Sequence, residues 1–303
     1  MGRDGNTPTA CMSDLEETVE RAIDFRLRPP TRGFLRLHLY EQPERSARIT
    51  RRIGLTVPPS AEARDMGMLL AEMDAAGVRI GVVAARRSAP HYGSVDTEDV
   101  LAIVRDHPGR FVALTAVGPT FDVPPIEEIA RAAGRRAEGL AGVAIDPGFA
   151  TEPVFCDDRR LYPIYEACAA NELPVLVTLS GNVGPTIEYS HPIHLDRVAK
   201  DFPSLPLVVG HGAWPWVQEI VGVAYRRQNV YVLPDLYLVN FPGADDYARA
   251  AAYWMQDQFL FGTSYPFVSH ADAVANLVGL GLSDRVLEKV LWENAARLLR
   301  IRS

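Results

Sequence analysis

Two arginines, Arg26 and Arg28, stand two residues apart in the stretch Ile23-Asp24-Phe25-Arg26-Leu27-Arg28-Pro29-Pro30. A guanidinium stays protonated and presents a planar fork of donors, so a close pair of them suits a carboxylate. The alternation of apolar and charged residues is that of a strand with two unlike faces. Ile23, Phe25 and Leu27 then share one face, and Asp24, Arg26 and Arg28 the other. At strand spacing the two arginines are roughly 7 Å apart. At an effective dielectric near 20 they repel by roughly 2 kcal/mol. An anion must offset this. Asp24, Asp146 and Asp235 are internal candidates, and a substrate carboxylate is the external one. A closed cluster of ion pairs is the competing, purely structural expectation.

A second group with chemistry is His211, in Val208-Val209-Gly210-His211-Gly212-Ala213-Trp214. A histidine at a strand end between glycines is placed to act as general acid or base, with Asp146 or Asp235 to orient it or the arginines. Ser264, in Phe261-Gly262-Thr263-Ser264-Tyr265-Pro266, is a nucleophile or a polar wall, and no Gly-x-Ser-x-Gly elbow surrounds it. Thr178, Ser180 and Tyr237 are further polar groups at strand ends. Leu176 shares a face with Thr178 and Ser180, and strict alternation puts Leu207 and Val209 on the face of His211. His191 and His194, three apart at a helix start, are read as caps or packing rather than as metal ligands.

These groups need a scaffold that brings strand ends together. Strands are expected at 79–85, 111–117, 140–146, 174–180, 207–211, 230–235 and 259–264 as well as at Ile23–Arg28. Helical patterns lie between them, near 61–76, 97–107, 125–136, 157–171, 193–202, 214–227 and 244–256. Eight β units alternating with helices predict an α/β fold, a (β/α)8 TIM barrel, with chemistry at the C-terminal strand ends. Residues 1–20 form a polar N-terminal extension, with Ser13-Asp14-Leu15-Glu16 as a capping box, and 21–303 form the barrel. Residues 31–60 read as a long lid loop between the first strand and its helix, rich in Arg32, Arg36, Arg45, Arg48, Arg51 and Arg52. A last helix starts at Ser283.

The 303 residues carry a net charge of −7 and are 48% hydrophobic. No stretch of about 18 apolar residues predicts a membrane span. The acidic balance argues against nucleic acid as the main partner. Three widely spaced cysteines form neither a disulfide framework nor a zinc spacing, which points to the cytoplasm.

From Ile23 to about Leu299 the chain resembles the amidohydrolase-related group. That group includes aminocarboxymuconate-semialdehyde decarboxylases, related benzoate decarboxylases and pyrone dicarboxylate lactonases. Asp24-Phe25-Arg26-Leu27-Arg28 stands where the family has Asp-x-His-x-His. Pro174-Val175-Leu176-Val177-Thr178 stands for its Pro-Val-Leu-x-His, and His211-Gly212 for its His-Gly. Phe261-Gly262-Thr263-Ser264-Tyr265-Pro266 stands for Phe-Gly-Thr-Asp-Tyr-Pro, and Asn294-Ala295-Ala296-Arg297-Leu298 loosely for a final Asn-Ala-x-Arg-Leu. The resemblance implies a metal-dependent-hydrolase-like barrel. At four of the five metal-site positions, however, this chain has Arg26, Arg28, Thr178 and Ser264, and only His211 is retained. Arginine does not coordinate metals and repels a dication. No metal and no cofactor are therefore expected.

The expected function is that of an amidohydrolase-like enzyme, a hydrolase or carbon–carbon lyase. It would act without metal on a small carboxylate-bearing substrate, free or linked to a carrier such as coenzyme A. Arg26 and Arg28 are its anion clamp, and His211 its acid or base. The catalytic set is His211, Ser264 and Asp235, and the substrate-binding set is Arg26, Arg28, Asp146, Thr178, Ser180 and Tyr237. The alternative is a catalytically inactive homologue serving as a structural or regulatory subunit. Family habit implies a homo-oligomer, or a hetero-oligomer with a homologue.

Overall fold

A computed structural model describes residues 19–118 and 125–301. The expected N-terminal helix at 13–21 lies almost wholly outside the described residues. Seven parallel strands stand in sequence order, β1 (Ala22–Leu27), β2 (Val78–Ala84), β3 (Phe111–Ala116), β4 (Leu140–Ile145), β5 (Val175–Thr178), β6 (Leu207–Gly210) and β7 (Val230–Leu233). Helices separate them. They are α1 (Pro43–Arg52) and α2 (Met66–Ala75) before β2, then α3 (Thr97–Asp106), α4 (Pro125–Gly134), α5 (Tyr162–Ala170), α6 (Pro192–Asp201) and α7 (Val217–Arg226) in turn. After β7 come α8 (Ala244–Tyr253), α9 (His270–Gly279), α10 (Asp284–Glu288) and α11 (Asn294–Leu299), the last two joined by a π-helical turn. Strands of Val, Ile, Leu and Ala are buried on both faces, as a parallel sheet under helices requires.

The expected eighth strand is only partly regular. Residues 258–265 close the barrel through isolated bridges, Val232 to Phe259 on one side and Leu27 to Tyr265 on the other. The Phe25 amide also donates to the Phe261 carbonyl, 3.0 Å. Beyond this the ladder is replaced by a side chain. Asp24 accepts from the backbone amides of Arg26 (2.9 Å) and Thr263 (3.0 Å) and from the Thr263 hydroxyl. His270, at the start of α9, brings Nε2 within 3.3 Å of the same carboxylate, and both groups are wholly buried. The pairing of β1 with β2 slips between Asp24 and Leu27, which is a bulge. Asp24 therefore serves the seam between β1 and residues 258–265, and it does not line the cleft with Arg26 and Arg28 as simple alternation predicts.

The segment 31–60 is not an irregular loop. It forms short helical turns at Phe34–Arg36, His38–Glu41 and Pro59–Ala63 around α1. Side chains dock it on the barrel mouth. The Tyr40 hydroxyl donates to the Arg28 carbonyl (2.7 Å) and the Thr50 hydroxyl to the Phe267 carbonyl (2.8 Å). Ser60 meets the Tyr265 hydroxyl at 2.8 Å. Helix α9 was not foreseen, although Ser269 and Asp272 are its signal: the serine hydroxyl accepts from the Asp272 amide, 3.0 Å.

Asp24→Ala removes an acceptor from the buried amide and hydroxyl of Thr263 and from the partly buried amide of Arg26. A loss of about 3 kcal/mol in urea unfolding is expected. A loss under about 1 kcal/mol would mean that backbone pairing alone holds the seam.

Candidate active site

Arg26 lies across the barrel interior. Its Nη2 donates to the Thr178 hydroxyl, 3.2 Å, and its Nε is 3.7 Å from the Asp235 carboxylate. Gly210 makes this possible, because a Cβ there would stand 2.8 Å from Arg26 Nη1. Arg28 uses Nη1 for three bonds, to the Ser264 carbonyl (3.2 Å), the Ser264 hydroxyl (3.1 Å) and the Tyr265 carbonyl (3.4 Å). All three partners are neutral, and no carboxylate lies within ion-pair distance of Arg28 among the described residues. Burial, with Arg26 and Arg86 nearby, lowers its pKa to about 9, while Asp235 and Asp146 work against the shift. The site is thus overloaded with positive charge. A narrow cleft of about 30 Å³ opens beside it, lined by Arg26, Arg28, Arg86, Asp146 and Thr178, with Phe34 and Leu37 from the lid segment. The six arginines named in that segment do not line the cleft.

Arg86 also lines the cleft, and it is not among the residues expected from the sequence. It lies two residues past the end of β2, in a bridge to Val95, on the parity of Val82 and Ala84, which also line the cleft. Its Nε is 3.3 Å from Asp146, and its guanidinium lies over the Phe149 ring, 4.8 Å to the centroid. Burial lowers its pKa, against the pull of Asp146.

His211 and Asp235 form the second part of the site. Nδ1 of His211 is 2.8 Å from one oxygen of Asp235, and the His211 amide donates to the other oxygen at 3.2 Å. With the Nδ1 hydrogen on the carboxylate, Nε2 keeps the lone pair. The histidine pKa is lowered to about 4, chiefly by burial, with Arg26 and Arg28 adding to it and Asp235 opposing. His211 is therefore neutral at pH 7. Its placement corrects the alternation argument. Thr178 pairs with Gly210 and Leu176 with Val208, so Leu207 and Val209 lie on the opposite face. His211 enters by a left-handed turn after the strand ends (φ 67°). Asp235 (φ 46°) and Ser264 (φ 54°) enter their strand ends in the same way. Such backbone is costly for residues with a Cβ, and it aims three side chains that strand parity would not.

The other expected residues divide in two. Tyr237 stacks on Trp214 (4.9 Å, 9°) and meets the His211 ring edge-on (5.7 Å). Burial pushes its hydroxyl up to about 12, while Ser180 and Asn182 pull it down. Ser264 is fully buried as a partner of Arg28. Neither Ser180, Tyr237, Ser264, His211 nor Asp235 lines the cleft; Arg26, Arg28, Asp146 and Thr178 do. His191 caps α6 through Nδ1 (3.1 Å from the Ile193 amide), and His194 pairs with Asp157 at 2.8 Å.

An α/β barrel with its ionisable side chains at the carboxyl ends of the strands has the TIM-barrel layout. The chain belongs to the amidohydrolase family, whose model, described as Amidohydrolase, matches residues 23–301. An uncharacterised TIM-barrel protein from Bordetella bronchiseptica is 41% identical, with 92% of this chain and 98% of that one covered and a TM-score of 0.86. The 5-carboxyvanillate decarboxylase of Sphingomonas paucimobilis shares the fold at 19% identity, TM-score 0.62, with coverage of 94% and 100%. A dihydroxybenzoic acid decarboxylase from Polaromonas, solved with bound manganese and 2-nitroresorcinol, does so at 16% identity, TM-score 0.63, with coverage of 94% and 98%. No curated protein matches.

The donor set here does not fit a dication such as that manganese. Arg26 and Arg28 bring fixed positive charge and no lone pairs. Among the described residues no three His, Cys, Asp or Glu side chains gather.

His211 gives a pH signature. Its folded pKa, about 4, is below its unfolded value, so the unfolded chain binds the proton more readily. The stability it contributes is complete above about pH 6.5 and is lost as pH falls towards 4. Urea unfolding of wild type and His211→Asn across this range should diverge by on the order of 3 kcal/mol. Parallel curves would refute a buried neutral histidine.

Proposed function

We propose that the chain is an enzyme that binds a small carboxylic acid on Arg26 and Arg28 and transforms it without a bound metal. Arg28 carries this reading, as a partly buried guanidinium that lines the cleft and whose partners are all neutral oxygens. A substrate carboxylate supplies the missing counter-charge through a charge-assisted bond. The same fixed charge stabilises an enolate or oxyanion as it develops, with no reorganisation at the moment of reaction. His211, neutral and oriented by Asp235, moves the proton. Decarboxylation, lactone or carbon–carbon bond hydrolysis and enolate cyclisation all use this kit, and two relatives are named as decarboxylases. Ser264 acts as a wall that holds Arg28. The narrow cleft favours a free acid over one linked to a carrier.

The second reading, an inactive homologue that only binds an anion, has one observation in its favour. His211 is 8% exposed and Asp235 3%, and neither lines the cleft.

Three measurements test these readings. Small carboxylic acids should raise the melting temperature of the wild type and leave Arg28→Ala unchanged; equal shifts in both would defeat the anion clamp. His211→Asn should keep binding and lose turnover at least about a hundredfold. Turnover unaffected by this change removes histidine from the chemistry, and binding without turnover in the wild type supports the inactive homologue. Elemental analysis should find no stoichiometric metal, and zinc or manganese at one per chain would contradict the metal-free mechanism.

A further inference from the structure

Three guanidinium groups meet at the mouth, and each has a different partner. Arg26 has Asp235 at 3.7 Å, and Arg86 has Asp146 at 3.3 Å. Arg28 has only Ser264 and Tyr265 oxygens. Asp146 and Arg86 are both nearly buried and both line the cleft, and Arg86 is held from the other side by the Phe149 ring. Asp24, the other buried carboxylate near β1, is spent on Thr263 and His270 at the seam.

From this we infer that Asp146 sets the charge of the ligand, admitting monocarboxylic acids and rejecting dicarboxylic ones. The inference rests on the anion-clamp reading of Arg26 and Arg28. Asp146 already holds the position at Arg86 that a second ligand carboxylate would take. One vacancy for an anion remains, at Arg28. A ligand with two carboxylates places its second charge in the same narrow cleft as the Asp146 carboxylate, where low polarity strengthens repulsion. Exclusion by a resident like charge is a specificity device that needs no extra attractive contact. It also explains why Arg86 is not free for the substrate, although three arginines line one cleft.

Succinate and its monoamide, succinamate, are nearly the same size and differ by one charge at neutral pH. Ligand-observed NMR titration reads weak dissociation constants for both. Wild type is expected to bind succinamate at least about tenfold more tightly. Asp146→Asn should bring the two to parity or favour succinate, and Asp146→Glu should keep the wild-type preference. The inference is overturned if wild type binds succinate as tightly as succinamate, or if Asp146→Asn leaves the ratio unchanged. Should Asp146→Asn fail to fold, the ratios in wild type and Asp146→Glu still decide. Arg28→Ala separates the two levels. If it weakens both acids while wild type shows no preference, only the charge selection fails. If it changes neither affinity, the clamp fails too, and the selection with it.

Discussion

A guanidinium taken out of water must be answered by a counter-charge or by a dense set of acceptors, and three of them crowd the mouth of this barrel. Two are answered by carboxylates from other strands, Asp235 and Asp146. The third, Arg28, is held by neutral oxygens of residues 264 and 265. Much of the local architecture follows from this imbalance. The glycine at 210 clears room for Arg26, Thr178 gives it an acceptor, and the left-handed turn at Ser264 delivers both a carbonyl and a hydroxyl to Arg28.

Much of the layout was legible in the sequence. The alternation of strand and helix gave the barrel, and the inward faces of β1 and β5 placed Arg26, Arg28 and Thr178. Periodicity reads regular strands, and it failed where strands end. His211, Asp235 and Ser264 sit in left-handed turns, so their direction is not set by parity. Asp24 was misplaced because a bulge in β1 has no local signature. Arg86 lies just past the expected strand at 79–85 and was not considered, although its parity with Val82 and Ala84 places it in the cleft. The segment 31–60 looked like a loop because, apart from α1, its helical turns are short and its arginines are exposed, so composition hid what hydrogen bonds to Arg28 and Phe267 reveal.

Those hydrogen bonds also fasten the segment beside the cleft to the barrel rim. Tyr40, Thr50 and Ser60 tie the covering segment to the carbonyls and hydroxyl of the barrel rim. A binding surface already fixed in place loses little conformational freedom when a ligand arrives. Selectivity can then rest on charge and shape, with no closing motion needed.

The contact between Arg26 and Gly210 has a consequence for how the chain can change. A histidine at 26 is too short to reach across the interior. It would leave a void beside Gly210, deprive Thr178 of its donor and leave Asp235 without its cation. Building a metal ligand at this position by a single Arg26→His change would therefore cost an ion pair and a hydrogen bond before any ligand is gained.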